Sequence, residues 1–449
     1  MRVKRILKGC IKQNEEAFFV KRILVLALAC ALMLGFVPAG RAAGPVEVTV
    51  PSYMCGENVG GLYFLPLVDR FNAKYEGVYK VIIEEIVQDL YNDKIMQMGN
   101  AGMLPALING GINDTWFDEV VLANGLFVDL KELVDSNPGI RARYNDANYE
   151  YNLYEGKLAT LPSPLVNLIT MYYNSALWTP SKPINDMSWQ DVIDDLGDNK
   201  IAFMTAENAW TTMLAFTSII AAEPGGAELM YANFPNKLVD FSDPILIEAF
   251  SKLQKLLQNN ATASTIGGAY ADAANSFLNV EAAIIANGPW MIGDLRAGGS
   301  DKQGEKYDAD TIHGAVLPGN VGIENPFGRG WWIPSTCSDD EIALAKAFLE
   351  FMNSPENLEE QMLILGGAIP GFEYSEAFLA KRAEDRLMDE YLSAPDANTI
   401  IVPSFEGVVP GSIGSPEFGK LLPKLADGSL TPEQFAAELT KKAAETALD

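Results

Sequence analysis

The chain has 449 residues, 48% of them hydrophobic and 20% charged, which is the composition of an ordinary globular protein and excludes a disordered or fibrous one. Its length suffices for two domains of about 100 to 200 residues each. Acidic residues number 59 against 33 Lys and Arg, for a formal net charge of -26, and a surface of that sign excludes nucleic acid and anionic lipid as partners.

At the N-terminus, Lys21 and Arg22 precede an apolar run from Ile23 to Val37, and small residues follow at Gly40, Ala42 and Ala43. Positive, then apolar, then small is the order of a secretory signal peptide, and the run is short for a membrane-spanning helix. Export to the periplasm or the extracellular space is expected, with residues 1–43 removed and cleavage after Ala42 or Ala43. Cys30 offers a lipid-anchor reading, but apolar "ALMLGFVP" follows it where a mature lipoprotein turns polar. Removing residues 1–42 takes eight of the 33 basic residues and two of the 59 acidic ones, leaving 25 and 57, a net charge of -32. Cys55 and Cys337 remain, in unlike contexts that propose neither a disulfide framework nor a CxxC metal site.

"VEVTVPSY" alternates like a strand, "GLYFLPLVDRFNAKYEG" carries Leu62, Leu65, Val68 and Phe71 at helical spacing, and "YKVIIEEIV" returns to a strand. That order reads as a βαβ unit with a parallel pair. "DLYNDKIMQMGNAG" is a second helix, and "ANGLFVDLKELVD" a helix end turning into another. From "KLATLPSPLVNLITMYYNSALW" the pattern begins again, with strands near Ile169 and Ile201 and helices over 210–222 and 244–258, so the fold class is α/β twice over. In the helical last third, Ser338 opens a capping-type Ser-Asp-Asp-Glu, and Thr431 caps a helix with Pro432 at its first position and Gln434 three residues after the cap.

One histidine, His313, removes His-based metal clusters and most Ser-His-Asp or Cys-His catalysis. No GxGxxG or P-loop motif proposes a nucleotide, and no cofactor is expected. The tryptophans stand out instead. Trp116, Trp210, Trp290, Trp331 and Trp332 sit in "INGGINDTW", "TAENAWTT", "NGPW" and "FGRGWW", among turn formers and amides. Singly, each reads as core or site. Together, flat aromatic faces beside amides and carboxylates suit a ligand with apolar C–H faces and a rim of hydroxyls, a sugar.

Seven segments in order resemble the extracellular solute-binding proteins of ABC importers, in the maltose-binding-like group. They are "FNAKYEGVYKVIIE", "ANGLFVDLKELV", "KLATLPSPLVNLITMYYNSALW", "FLNVEAAIIANGPW", "IPSTCSDDEIALAKAFLEFMNSPENLEEQM", "GGAIPG" and "LADGSLTPEQFAAELTKK". The chain departs from the family's pattern in "GMLPALING", which lacks an acidic residue after Pro105, and at Val280, where the family has glycine. The resemblance implies a two-lobe periplasmic-binding-protein fold of type II, hinged about a ligand cleft. Lobe 1 is expected over 44–166 with 315–352 and lobe 2 over 167–314 with 353–449, with crossings near 164–170, 312–316 and 352–357. It also implies no catalysis, a carbohydrate ligand, a membrane permease as partner and a monomer.

By the same resemblance, Trp290 is a stacking platform, Trp210 and Asn208 the aromatic and polar pair of the far lobe, and Asn167 a polar group at the first crossing. Asn113, Asp114 and Trp116 match the near lobe's ligand loop, and Glu57 and Asn58 follow the first strand. Arg329 or Trp331 points inward, since a one-residue shift reverses the facing. Tyr270 and Phe418 complete the candidates. Two alternatives stay open: the same fold holding a polyamine or quaternary amine by cation-π contacts to its aromatic rings and by the carboxylates of Glu57, Asp114 or Asp118, and an exported glycosidase or lyase.

Overall fold

The computed structural model describes residues 44–446 apart from positions 57, 59, 111–113, 207 and 370. The signal-peptide and lipid-anchor readings of the leading segment therefore lie outside the described residues.

Strand β1 (Val46–Ser52) runs into helix α1 (Gly61–Lys74) and back to β2 (Tyr79–Glu85), and the two strands pair in parallel from Val46 and Tyr79 to Ser52 and Glu85. Helix α2 (Gln88–Asn100) follows. The facing of α1 differs from its sequence reading. Tyr63, Phe64, Leu67, Val68 and Phe71 are buried, whereas Leu62 is 48% exposed and Leu65 37%. The helix carries two overlapping apolar stripes. The one that holds three aromatic rings removes more area from water, so it takes the core face.

The far lobe is built on β3 (Thr170–Asn174), α3 (Trp210–Ala221), α4 (Pro244–Asn259), α5 (Tyr270–Leu278), β4 (Ile284–Asn287) and β5 (Ile312–Ala315). Its central sheet has the order β4, β3, β5 and is antiparallel throughout. The geometry follows from the path: β3 enters the lobe, β5 heads back out beside it, and neighbouring strands that enter and leave must oppose. Ile201, expected in a strand, makes only isolated bridges to Ala261 and Ile284.

The hydrophobic cores locate the crossings. One core gathers residues from Val48 to Leu161 with Trp331, Ile333 and Phe348, and Phe71 and Cys337 share it. Another gathers Met171 to Ile323 with Leu387 to Ala443. The second crossing therefore lies between Ile323 and Trp331, not near 312–316. The reason is an extra strand, β6 (Val321–Ile323), which pairs in parallel with β7 (Ile400–Val402) and bridges Ile169 before the chain leaves the lobe. The third boundary moves as well. After α6 (Asp339–Met352), helix α7 (Pro355–Leu365) belongs with a small separate cluster of Leu358, Met362, Ile369 and Phe378, and the far-lobe core resumes at Leu387. Capping boxes stand at both expected helix starts: Ser338 with Glu341, and Thr431 with Gln434.

Candidate ligand-binding site

Between the two large cores lies a cleft of about 550 Å³, within the usual range for small-molecule sites. Its far wall starts from sheet register. Thr170 pairs with Asn287, so the end of β4 and the turn after it, Asn287-Gly288-Pro289-Trp290, sit at the end of the lobe where β3 enters from the crossing. Buried hydroxyls hold that turn. Tyr172 Oη donates to Gly288 O at 2.9 Å, and Tyr391 Oη accepts from Thr170 N at 2.9 Å while lying 3.0 Å from Asn287 O.

Trp290 is half-buried, and its ring lies across Gly288, where a Cβ would fall 2.2 Å from it. Trp210 opens α3, and its ring is 6.2 Å from Trp290 and 4.8 Å from Tyr270. Tyr270 Oη accepts from Asn287 Nδ2 at 3.3 Å. Three rings from three separate elements thus form one aromatic patch on the cleft. Gly288 has φ -88°, which alanine adopts without strain, so Gly288→Ala is expected to displace the Trp290 ring and leave the fold intact. Ligand affinity should fall about tenfold, on the order of 1.4 kcal/mol, with melting temperature nearly unchanged. Calorimetric titration and a thermal melt of the same variant check both halves.

The near wall is polar. Asn58 Nδ2 donates to Gln88 Oε1 at 2.9 Å, and Asn109 Nδ2 to Tyr53 Oη at 3.3 Å. Trp331 stacks on Phe64 at 5.7 Å with 8% exposure. Three buried polar atoms on the cleft, Tyr63 Oη, Asn167 Oδ1 and Asn208 Oδ1, lack a hydrogen-bond partner among the described residues. Each such atom costs about 1 to 3 kcal/mol while unsatisfied. A ligand rich in hydroxyls could satisfy all three.

The structure brings eight of the expected residues to this cleft: Asn58, Asn167, Asn208, Trp210, Tyr270, Trp290, Arg329 and Trp331. Arg329 and Trp331, two residues apart, both reach it. Arg329 is paired with Asp118 and lies over the rings of Phe117 and Tyr151, at 4.5 and 5.0 Å. Trp332, the residue after Trp331, faces the opposite way and is fully buried against Phe117.

Other expectations are corrected. Phe418 is fully buried among Phe216, Phe405 and Phe435 in the far-lobe core, because the helix Phe418–Ala426 turns that face inward. Trp116 packs on Gly99 of α2, its Nε1 3.5 Å from Asn100 Oδ1, and is not part of the cleft wall. Asp114 opens the short helix Asp114–Trp116, while Glu57 and Asn113 lie outside the described residues. Sequence reasoning missed Tyr53, Tyr63, Gln88, Asn109, Asn325, Ser404 and Glu406, all on the cleft. Asn109 was findable: it precedes Gly-Gly, the same polar-turn context that singled out the tryptophans.

Burial pushes the Asp294 carboxyl, one turn past Trp290, up to about 6. Folding therefore favours its protonated form. The stability this gives is present below the unfolded pKa near 4 and is lost as pH rises to about 6. Asp294→Asn should stabilise the protein at pH 7 by on the order of 2 kcal/mol and change little at pH 3.5. Denaturant melts of both proteins at the two pH values test this.

Two α/β lobes facing each other across a cleft, with the chain crossing between them more than once, define a ligand-binding protein of the periplasmic type. The chain belongs to the bacterial extracellular solute-binding proteins, whose family model matches residues 66–385. These proteins bind solutes and are not enzymes. No curated protein sequence matches the chain. Among solved structures it is similar to a chitin oligosaccharide binding protein, with 18% identity over 89% of this chain and 98% of that one and a TM-score of 0.71. It is also similar to a Streptococcus pneumoniae solute-binding protein in complex with the blood group A-trisaccharide (19% identity, 88% of this chain and 98% of that one, TM-score 0.64). A third is the maltose/maltodextrin-binding domain MalE from Bdellovibrio bacteriovorus bound to maltotriose (15%, 90% and 100%, 0.60). At these identities the likeness is one of fold.

Proposed function

We propose that the protein captures a carbohydrate in this cleft and delivers it to the membrane permease of an ABC importer. The observation that carries the reading is the pairing of the Trp210, Tyr270 and Trp290 rings with a rim of amides at Asn58, Gln88, Asn109, Asn167 and Asn208. Aromatic faces take the C–H surface of a sugar and amides take its hydroxyls, and closure of the lobes on ligand follows from the contacts that both walls make at once. The sugar complexes among the similar folds support the same reading. Titration of the mature protein with mono- and oligosaccharides, followed by tryptophan fluorescence, tests it. A response to at least one sugar is expected, and silence to all of them overturns the reading.

Delivery needs a docking face. The first turns of α1 and α2 flank the cleft, joined by the Asn58 to Gln88 hydrogen bond. They present Leu62 and Leu65, and Val87 and Leu90, the last two 62% and 58% exposed. Exposed apolar residues grouped beside a binding cleft mark an interaction surface. The double substitution Leu62→Glu with Val87→Glu should leave sugar affinity within about twofold and lower sugar uptake by cells about tenfold or more, judging from the cost of burying unpaired charge in an interface. Normal uptake would remove this face from the docking surface.

A further inference from the structure

Among the cleft's described lining residues two carry charge, Arg329 and Glu406. Arg329 is already neutralised by Asp118 and covered by two aromatic rings. Glu406 has neither a hydrogen bond nor an ion pair with any described residue. Its place is nonetheless well determined. It lies in the single helical turn Phe405–Val408, which Ser404 caps by accepting from Gly407 N at 3.0 Å. Phe405 anchors that turn in the far-lobe core, and Asn325 Oδ1 accepts from Ser404 N at 2.8 Å. The Glu406 stem rests against Gly414, where a Cβ would lie 3.2 Å from its Cγ. The side chain is exposed to the solvent of the cleft, yet enough protein surrounds the carboxyl to push its pKa above the ordinary glutamate value.

We propose that Glu406 is a specificity-determining residue that takes paired hydroxyls of a neutral sugar, so that the cleft refuses acidic sugars. The inference rests on the carbohydrate reading and refines it. An ionised carboxylate only accepts hydrogen bonds, and it has room for two donors side by side. Bonds from sugar hydroxyls to a carboxylate are short and about twice as strong as those between neutral groups. A uronic acid or sugar phosphate would bring a second negative charge to a wall whose one described cation is already paired. The remaining polar side chains of the described wall are amides, hydroxyls and indole N–H groups, all neutral. One carboxylate among many amides matches a polyhydroxyl ligand better than a polyamine, which needs a carboxylate at each end.

The test is isothermal titration of the mature protein and of Glu406→Gln with neutral xylo-, malto- and chito-oligosaccharides, with oligogalacturonides of the same lengths, and with spermidine. The unmodified protein should bind a neutral oligosaccharide and ignore the oligogalacturonides and spermidine. Glu406→Gln should bind that neutral sugar about 10- to 100-fold more weakly, as expected for loss of hydrogen bonds to a charged group. Its preference for neutral over acidic sugar should narrow, and its melting temperature should hold. Unchanged affinity of Glu406→Gln for the neutral sugar overturns this inference alone, as does a preference of the unmodified protein for oligogalacturonide. Binding of spermidine with no sugar bound at all overturns the carbohydrate reading together with it.

Discussion

Trp290→Ala is expected to weaken ligand binding by about 1 to 3 kcal/mol, roughly ten- to a hundredfold, while the protein keeps its melting temperature. The ring is half-buried and sits on the cleft wall across Gly288, beside Trp210 at 6.2 Å. Its truncation therefore widens the cleft and leaves no sealed cavity. The backbone turn beneath it stays, because it is held by Tyr172 Oη on Gly288 O and by Tyr391 near Asn287 O, and neither bond involves the indole. The paired measurement is calorimetric affinity and thermal melting of the same preparation. A collapse in melting temperature with normal affinity in the surviving folded fraction would make Trp290 a core residue and remove it from the site.

Phe418→Ala should show the opposite pattern. Its side chain has 0% exposure and packs against Phe405 at 5.2 Å, Phe216 at 5.7 Å and Phe435 at 5.9 Å. Removing it leaves a closed void among rings that belong to different helices and cannot all move in. The expected cost is about 3 to 5 kcal/mol of stability, and a lowering of the melting temperature by on the order of 10 °C. Ligand affinity of the folded protein should be unchanged, since no part of the side chain reaches the cleft. Differential scanning calorimetry with and without the bound sugar distinguishes the two outcomes, and a loss of affinity without a loss of stability would return Phe418 to the list of ligand contacts.

Much of the framework was legible because its signals are short in range. The β1, α1, β2 order shows in the switch of apolar period from two to 3.6 and back. The capping boxes at Ser338 and Thr431 need only four residues each to be recognised. The turn at "NGPW" announces itself by Gly-Pro, and the stretch 282–286 that leads into it is unbroken apolar sequence. The errors also share a cause. Leu62 and Leu65 lie on a helix that is apolar around much of its surface, and helical spacing offers two stripes without ranking them. The second crossing was misplaced because β6 is only three residues long and is stabilised by β7, about eighty residues later.

By itself the sequence determined the class of protein: the α/β elements, their order along the chain, the punctuation at Trp290 and the ordered motifs shared with solute-binding proteins are all properties of contiguous segments. The tertiary structure alone decided which residues meet. Glu406 and Asn58 line one cleft though nearly 350 residues separate them, while Phe418, twelve residues past Glu406, turns into the core. Both choices depend on how the two lobes stand across the crossings. That arrangement is set by long-range packing, by the Thr170 to Asn287 register and by the burial of rings from distant helices, and no local pattern encodes it.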